Sequence, residues 1–362
     1  MTESQPRLLG LDFARALAVF GMVLVNFKIV MGADEAGPAW LVEFAGWFDG
    51  RAAALFVVLA GVGMSLMSKR ARDNNDAELL GQNQFSLLRR ALTLFIVGLL
   101  YTPIWPADIL HFYGIYIAAG ALLLGAANKH LWQMIWLLVL SYPFLLHNFD
   151  YSREWDWSTL DYEGFWTLSG QLRHLFFNGF HPVIPWLAFL LLGMRLGRMD
   201  LHSTAKQKSL IIWGFAVALL VEFHSYFFVG VFTLSDEPVP QEVIQPLFGT
   251  DPMPPMPFYM AAAAGWATGV IGLCLRIGQA CANAVWLKPL VATGQMALTL
   301  YVAHVIIGMG VLEAMGRLED QSLTFALTSA VVFCAAAVAF STLWLKKFSR
   351  GPLEVLLRKL SN

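Results

Sequence analysis

Charge is scarce in this chain: 14% of its 362 residues are Asp, Glu, Lys or Arg, against about 25% in ordinary soluble domains. With 57% hydrophobic residues and a mean hydropathy of +0.60, that shortage excludes a soluble globular domain. Neither sign is in excess, since the formal net charge is −1. No basic face forms, so nucleic acid is not expected as a partner. Cysteine is almost absent, and Cys274, Cys281 and Cys334 lie in apolar runs without C-x-x-C or metal-ligand spacing. The chain also lacks a P-loop, a G-x-S-x-G elbow, an H-E-x-x-H pair and a dinucleotide fingerprint. No metal or redox cofactor is therefore expected, and any site must be assembled from helices.

What the chain does hold is long apolar runs. A bilayer core of about 30 Å takes about 20 apolar residues per helical span, and such runs fall at 11–31, 51–68, 89–105, 108–126, 131–147, 183–199, 209–234, 257–277, 288–313 and 323–345. The expected fold class is all-α, a polytopic membrane bundle of about ten transmembrane helices. Its division is a bundle over 1–345 and a tail over 346–362. The first run has a basic residue before it, but its length and internal charges favour an uncleaved anchor over a signal peptide.

Lys and Arg set the orientation, because cytoplasmic loops retain positive charge. With the N-terminus inside, the inner connections collect Lys69, Arg70, Arg72, Arg89, Arg90, Lys129, Arg195, Arg198, Lys206, Lys208, Arg276 and Lys288, and the tail adds more. The outer side is rich in acids. Both termini are expected in the cytoplasm, with an even number of spans.

Two outer connections are long. Residues 148–182 mix Trp155, Trp157, Phe165 and Trp166 with acids, and read either as an interfacial aromatic belt or as a lid or acceptor-binding surface. Residues 235–257 are proline-rich and read as a semi-extended loop. At the C-terminus, Pro352 starts a short helix with Leu353, Leu356, Leu357 and Leu360 on one face, suited to lie on the cytoplasmic leaflet.

Polar residues inside spans are costly and usually face protein or a wet cavity. Asp12, Arg15 and Asn26 fall within roughly 60° of one another on a helical wheel, and Asp12 and Arg15 have the spacing of an ion pair. They serve either as a headgroup anchor plus a helix-packing amide, or as one wall of a cavity. Asp108 and His111 are three apart, so the carboxylate can fix the imidazole as a general base. His181, at the mouth of the sixth span, suits a headgroup-level polar residue. Glu222 lies deep in the seventh span and is expected to be paired inward or functional, with His224 on the opposite face. His304 lies deep in the ninth span near Tyr301, as a packing residue or a site residue.

The stretches LDFARALAVFGMVLVNF, DGRAAALFVVLAGVG, DILHFYGI, GQMALTLY and WLKKFSRGPLEVLLRKL, taken in order, resemble the YeiB-like family of bacterial membrane proteins over nearly the whole chain. That family is similar to transmembrane acyltransferases such as heparan-α-glucosaminide N-acetyltransferase. The resemblance implies that an acyl group passes from cytosolic acyl-CoA to an extracytoplasmic acceptor, often a sugar hydroxyl or amine, at the bacterial inner membrane. Residue by residue, Asp12, Arg15 and Asn26 match the first-span pattern of the group, Asp49 its second-span acid and Asp108 the acid opening the fourth span. The acetyltransferases place a histidine shortly after the first-span asparagine, and here none follows Asn26. His111 stands in for it on geometry.

The scheme assigns His111 and Asp108 to proton removal from the acceptor and Asn26 to polarising the thioester carbonyl. Arg15, Arg89, Arg90 and Arg350 are assigned to the phosphates of CoA, and Asp12, Asp49, Glu222 and His304 complete the expected binding set. Partners are then the lipid bilayer, acyl-CoA and the acceptor, with homo-oligomerisation open. The competing reading is a transporter of a small solute or lipid-linked precursor. Against it stands the lack of paired halves with spans broken by Gly or Pro in matching positions.

Overall fold

The computed structural model describes residues 7–235 and 239–361. Residues 236–238, in the proline-rich connection, lie outside the described residues. Helices dominate the described residues, whose strands form one hairpin of two residues each, and the apolar length of the helices makes the chain a helical membrane protein. The helices are α1 (Leu9–Val30), α2 (Ala39–Gly46), α3 (Arg51–Met67), α4 (Lys69–Asp73), α5 (Ala77–Tyr101), α6 (Leu110–Leu122), α7 (Asn128–Asn148), α8 (Leu168–Arg173), α9 (Val183–Leu196), α10 (Thr204–Thr233), α11 (Gln241–Phe248), α12 (Pro257–Ala280), α13 (Leu287–Gln295), α14 (Ala297–Ala303), α15 (Gly310–Ala314), α16 (Leu323–Trp344) and α17 (Pro352–Ser361). A hairpin of β1 (Trp155–Asp156) and β2 (Asp161–Tyr162) sits between α7 and α8, with Trp155 opposite Tyr162.

Among the described residues, seven helical stretches are long and apolar enough to cross a bilayer, or eight if α8, the π-turn after it and α9 form one span bent by 52°. Several of these expose their apolar side chains. In α10 only 11% of the most apolar window is buried, and Trp213, Phe223 and Tyr226 are 68%, 63% and 82% exposed. An apolar helix left uncovered by protein is covered by lipid.

Three expected runs change their limits. The third begins at Ala77, twelve residues before the apolar run, because Asp76 caps the polar first turns by accepting from Leu79 N at 2.9 Å. The fourth is a short helix of 13 residues. The ninth is not continuous: α13 ends at Gln295, Met296 leaves helical geometry (φ −113°, ψ 24°), and α14 restarts at Ala297. A restarted helix exposes fresh N–H groups. Glu354 of α17 satisfies them, its Oε1 accepting from Leu298 N at 2.9 Å and Thr299 N at 3.0 Å while its Oε2 accepts from Thr299 Oγ1 at 2.5 Å. In α17, Leu357 is buried, and Leu356 and Leu360 remain half exposed.

The chain divides into two compact units. The first comprises residues 1–56, 200–214 and 266–356, and the second residues 57–199, 215–265 and 357–362. In the first, α1 packs against α13, α14 and α16, which is why more than half of its residues are buried. In the second, α6 lies between α5 and α9, and α9 also packs on α7. There α3 meets α9 at two glycines: a Cβ on Gly61 would lie 2.0 Å from Leu190 O, and one on Gly193 1.9 Å from Val58 O. Only a missing side chain at both positions allows so close a backbone crossing.

Candidate functional site

Helix α1 carries the polar stripe of the first unit. Asp12 is buried and doubly paired, to Arg15 Nη1 at 2.6 Å and to Arg7 Nη2 at 2.8 Å. Half a helix further on, Asn26 Nδ2 lies 2.8 Å from His304 Nε2. His304 Nδ1 contacts the Tyr301 carbonyl oxygen, which can only accept, so Nδ1 carries the proton and Nε2 receives the amide of Asn26. The fully buried imidazole thus has one defined tautomer. It stands where α14 passes into a π-turn (His304–Met309), a local loosening that recurs at functional sites.

Lys28 sits beside this stripe. It is buried, and its Nζ reaches Asp34 at 2.9 Å and both oxygens of Asp49 at 2.9 and 2.7 Å. The second-span acid is therefore one arm of a triad centred on a lysine. Sequence reasoning passed over Lys28 and Asp34, although a base inside an apolar span was visible.

In the second unit, histidines gather at the start of α6. Asp108 Oδ2 accepts from Leu110 N at 2.8 Å and faces His111 Nδ1 at 3.4 Å. The contact is long for a hydrogen bond, and it is Nδ1 of the two ring nitrogens that turns toward the carboxylate. His111 Nε2 is buried without a hydrogen-bond partner. The His174 ring stacks on that of His111 with centroids 5.6 Å apart at 22°, and His181 lies 5.9 Å across Phe112. The His111 and His174 rings stack, and His181 meets Phe112 edge to face. Among the described residues, no group of three or more His, Cys, Asp or Glu is arranged to hold a metal.

The connection over 148–182 closes over these rings as a folded element. Asn178, fully buried, is its hub: Nδ2 donates to Tyr151 O and Arg153 O at 2.9 and 3.0 Å, Oδ1 accepts from Tyr162 Oη at 2.9 Å, and its carbonyl accepts from Trp155 Nε1 at 2.7 Å. Burial first, and Glu154 second, raise the Tyr162 phenol above its ordinary value, which keeps it a donor. Phe165 is buried and Trp155 packs on His174 at 5.6 Å, so these two rings are not headgroup anchors. Trp166 remains 67% exposed. Under the connection lies a cavity of about 320 Å³ walled by Trp155, Asp161, Tyr162, Phe165, Trp166 and His174. His174 was missed in the sequence, where nothing but its place in an aromatic loop marked it.

A family model described as heparan-alpha-glucosaminide N-acetyltransferase, catalytic, matches residues 7–213, and one described as protein of unknown function, DUF418, matches residues 194–362. The chain belongs to the YeiB-like family, a relative of the transmembrane acyltransferases. It is similar to "Uncharacterized protein YxaH" of Bacillus subtilis, at 24% identity over 99% of this chain and 96% of that protein. It is also similar to "Uncharacterized 39.9 kDa protein in amylase 3'region" of Bacillus acidopullulyticus, at 26% identity over 97% and 92%.

The acetyltransferase match of this YeiB-like chain runs through Asp12, Asn26, Asp49, Asp108, His111 and His174. Of the residues singled out from sequence, Asp12, Arg15, Asn26, Asp49, His304 and Arg350 fall in the first unit, and Arg89, Arg90, Asp108, His111 and Glu222 in the second. Arg15 is engaged by Asp12. Arg89 lies over the Phe85 ring and donates to Leu360 O at 3.2 Å, Arg90 and Arg350 are exposed, and Glu222 accepts from Thr250 Oγ1 at 2.8 Å.

Proposed function

We propose that the protein is a bacterial inner-membrane acyltransferase that moves an acyl group from cytosolic acyl-CoA to a hydroxyl or amine of an extracytoplasmic acceptor such as a sugar or glycan. The observation that carries this reading is the buried Asp108–His111 couple, whose Nε2 is unpartnered, one ring behind a cavity walled by aromatic side chains and His174.

The chemistry asks little more. The acceptor proton leaves toward an imidazole nitrogen, its oxygen or nitrogen attacks the thioester carbonyl, and the C–S bond breaks to release CoA thiolate, which regains a proton. His111, held by Asp108, is the general base, and His174 stands between it and the cavity. The aromatic walls suit the apolar faces of a sugar ring.

Orientation supports two-sided chemistry. The reading takes α6 and α7 as crossings beside the eight candidate spans, so that ten crossings would lead from a cytoplasmic N-terminus to a cytoplasmic C-terminus. Positive charge then gathers inside. The connection over 148–182 and its cavity face outward. Arg15, Arg89, Arg90 and Arg350 add to the inner field that draws an anionic donor.

The test is release of free CoA thiol from acetyl-CoA by the purified protein with a panel of amino sugars and glycans. Acceptor-stimulated release that His111→Ala abolishes supports the reading. No release with any acceptor, or release unaltered by His111→Ala, overturns it.

A further inference from the structure

The second unit has another cavity, at the far ends of the helices that carry the histidines. Helix α6 begins beside His111 and runs 13 residues, about 20 Å, to the turn over 123–127, and α9 runs the same way from His181 to Arg198. After the Gly61–Gly193 crossing, α3 and α9 stay in contact. At Gly197 a Cβ would lie 2.7 Å from Ser65 Cβ. That contact delivers Arg198, leaving α9, next to Arg72, leaving α4.

The two guanidinium groups are held by neutral oxygens. Arg72 Nη2 donates to Ser65 O and Oγ at 2.9 and 3.1 Å, and its Nη1 to Ser68 Oγ. Arg198 Nη1 donates to Ala126 O at 2.7 Å and Asn128 Oδ1 at 2.9 Å, and its Nη2 to Leu124 O at 3.1 Å. Arg198 Nε is buried without a partner. The neighbouring carboxylate, Asp73, is engaged by Lys69. Burial first, then Arg72 and Arg195, push the Arg198 guanidinium down to about 10, and burial also lowers Arg72 against the opposing pull of Asp73. Both remain cations at neutral pH, at a mutual cost that an anion would relieve.

Lys69, Arg72, Asp73, Asn128 and Arg198 wall a cavity of about 320 Å³. Three cations against one carboxylate leave two positive charges. That matches a phosphate monoester or diphosphate better than a carboxylate, and forked guanidinium donors match its oxygens. The volume leaves room for the group that carries the phosphate. We propose that this cavity binds the phosphate end of a ligand, with Arg72 and Arg198 as its ligating side chains and Lys69 at the rim. The chemistry is shared by two sources, the nucleotide end of coenzyme A and an anionic lipid headgroup. The inference goes beyond acyl transfer, because the site is read by binding without turnover.

The test uses the full chain in detergent, titrated with coenzyme A carrying no acyl group, and separately with short-chain phosphatidic acid against a phosphatidylcholine control. Asn128→Asp places a carboxylate beside Arg198 and removes one of the two surplus charges without removing a packing side chain. Arg72→Gln removes one ligating group. Each variant is expected to weaken binding by about ten-fold or more, with the Asn128→Asp protein melting as the parent does. Tighter binding of coenzyme A assigns the nucleotide source, and tighter binding of phosphatidic acid over phosphatidylcholine assigns the lipid. Binding of neither probe, or binding that Asn128→Asp and Arg72→Gln leave unchanged, overturns the site. If Arg72→Gln fails to fold, Asn128→Asp decides alone.

Discussion

Asn26 and His304 are 278 positions apart in the chain, yet the amide of one meets the imidazole of the other at 2.8 Å. The histidine that the acetyltransferases place just after the first-span asparagine is absent from α1, and the π-turn after α14 brings an imidazole to the same asparagine.

Breaking that pair has a measurable cost. Asn26→Leu leaves His304 Nε2 buried and unpaired at about 1–3 kcal/mol, and His304→Leu leaves the half-buried amide of Asn26 without that partner. The double variant is expected to lose less than the two single variants together. Apparent melting in detergent, run as a double-mutant cycle, measures the coupling, and strict additivity would remove the pair from the account.

Lys28 gives an asymmetric result. Lys28→Met leaves the carboxylates of Asp34 and Asp49 facing each other without their shared cation, whereas Asp49→Asn leaves Lys28 still paired with Asp34. Lys28 is buried while the two carboxylates are partly exposed, so losing the lysine leaves two like charges at close range and losing Asp49 leaves a cation that is still paired. Lys28→Met should therefore lower the melting temperature more than Asp49→Asn does, and an equal or reversed order contradicts the triad.

Glu354 links the tail to the broken helix. Glu354→Ala removes the acceptor for two backbone N–H groups and the Thr299 hydroxyl, at about 1–3 kcal/mol. Faster amide exchange at Leu298 and Thr299 is the local readout. Exchange that stays at the parent rate would mean that α14 holds its first turn unaided.

The apolar runs made the helical membrane fold legible, because hydropathy and length are local properties of a chain. The Asp12–Arg15 pair was legible for the same reason, since its two residues lie three positions apart on one helix face. The break at Met296 was not, since it depends on a cap supplied by Glu354, 58 residues later. Nor were the cavity wall at His174 and the partnership of Asn26 with His304, which exist only after distant segments pack. Lys28 was readable as a costly charge in a span, while its two carboxylate partners came from outside that helix.

His174 and His111 divide the candidate chemistry. His174 lines the cavity and His111 stands one ring behind it, so His174→Ala is expected to raise KM for the acceptor several-fold. His111→Ala is expected to lower kcat by about 10²–10⁴ with KM little changed. Steady-state kinetics against varied acceptor separates the two, and the opposite assignment would place the base at His174.

The central claim is transfer across the membrane, and it is tested most directly in sealed vesicles that hold the protein in its cytoplasmic-side-out orientation. Acetyl-CoA with a labelled acetyl group is supplied outside these vesicles and a glycan acceptor is trapped within. The account predicts labelled glycan inside the vesicles, with CoA thiol appearing outside, and loss of both with His111→Ala. Unlabelled glycan and intact acetyl-CoA, with a solute crossing instead, would contradict it.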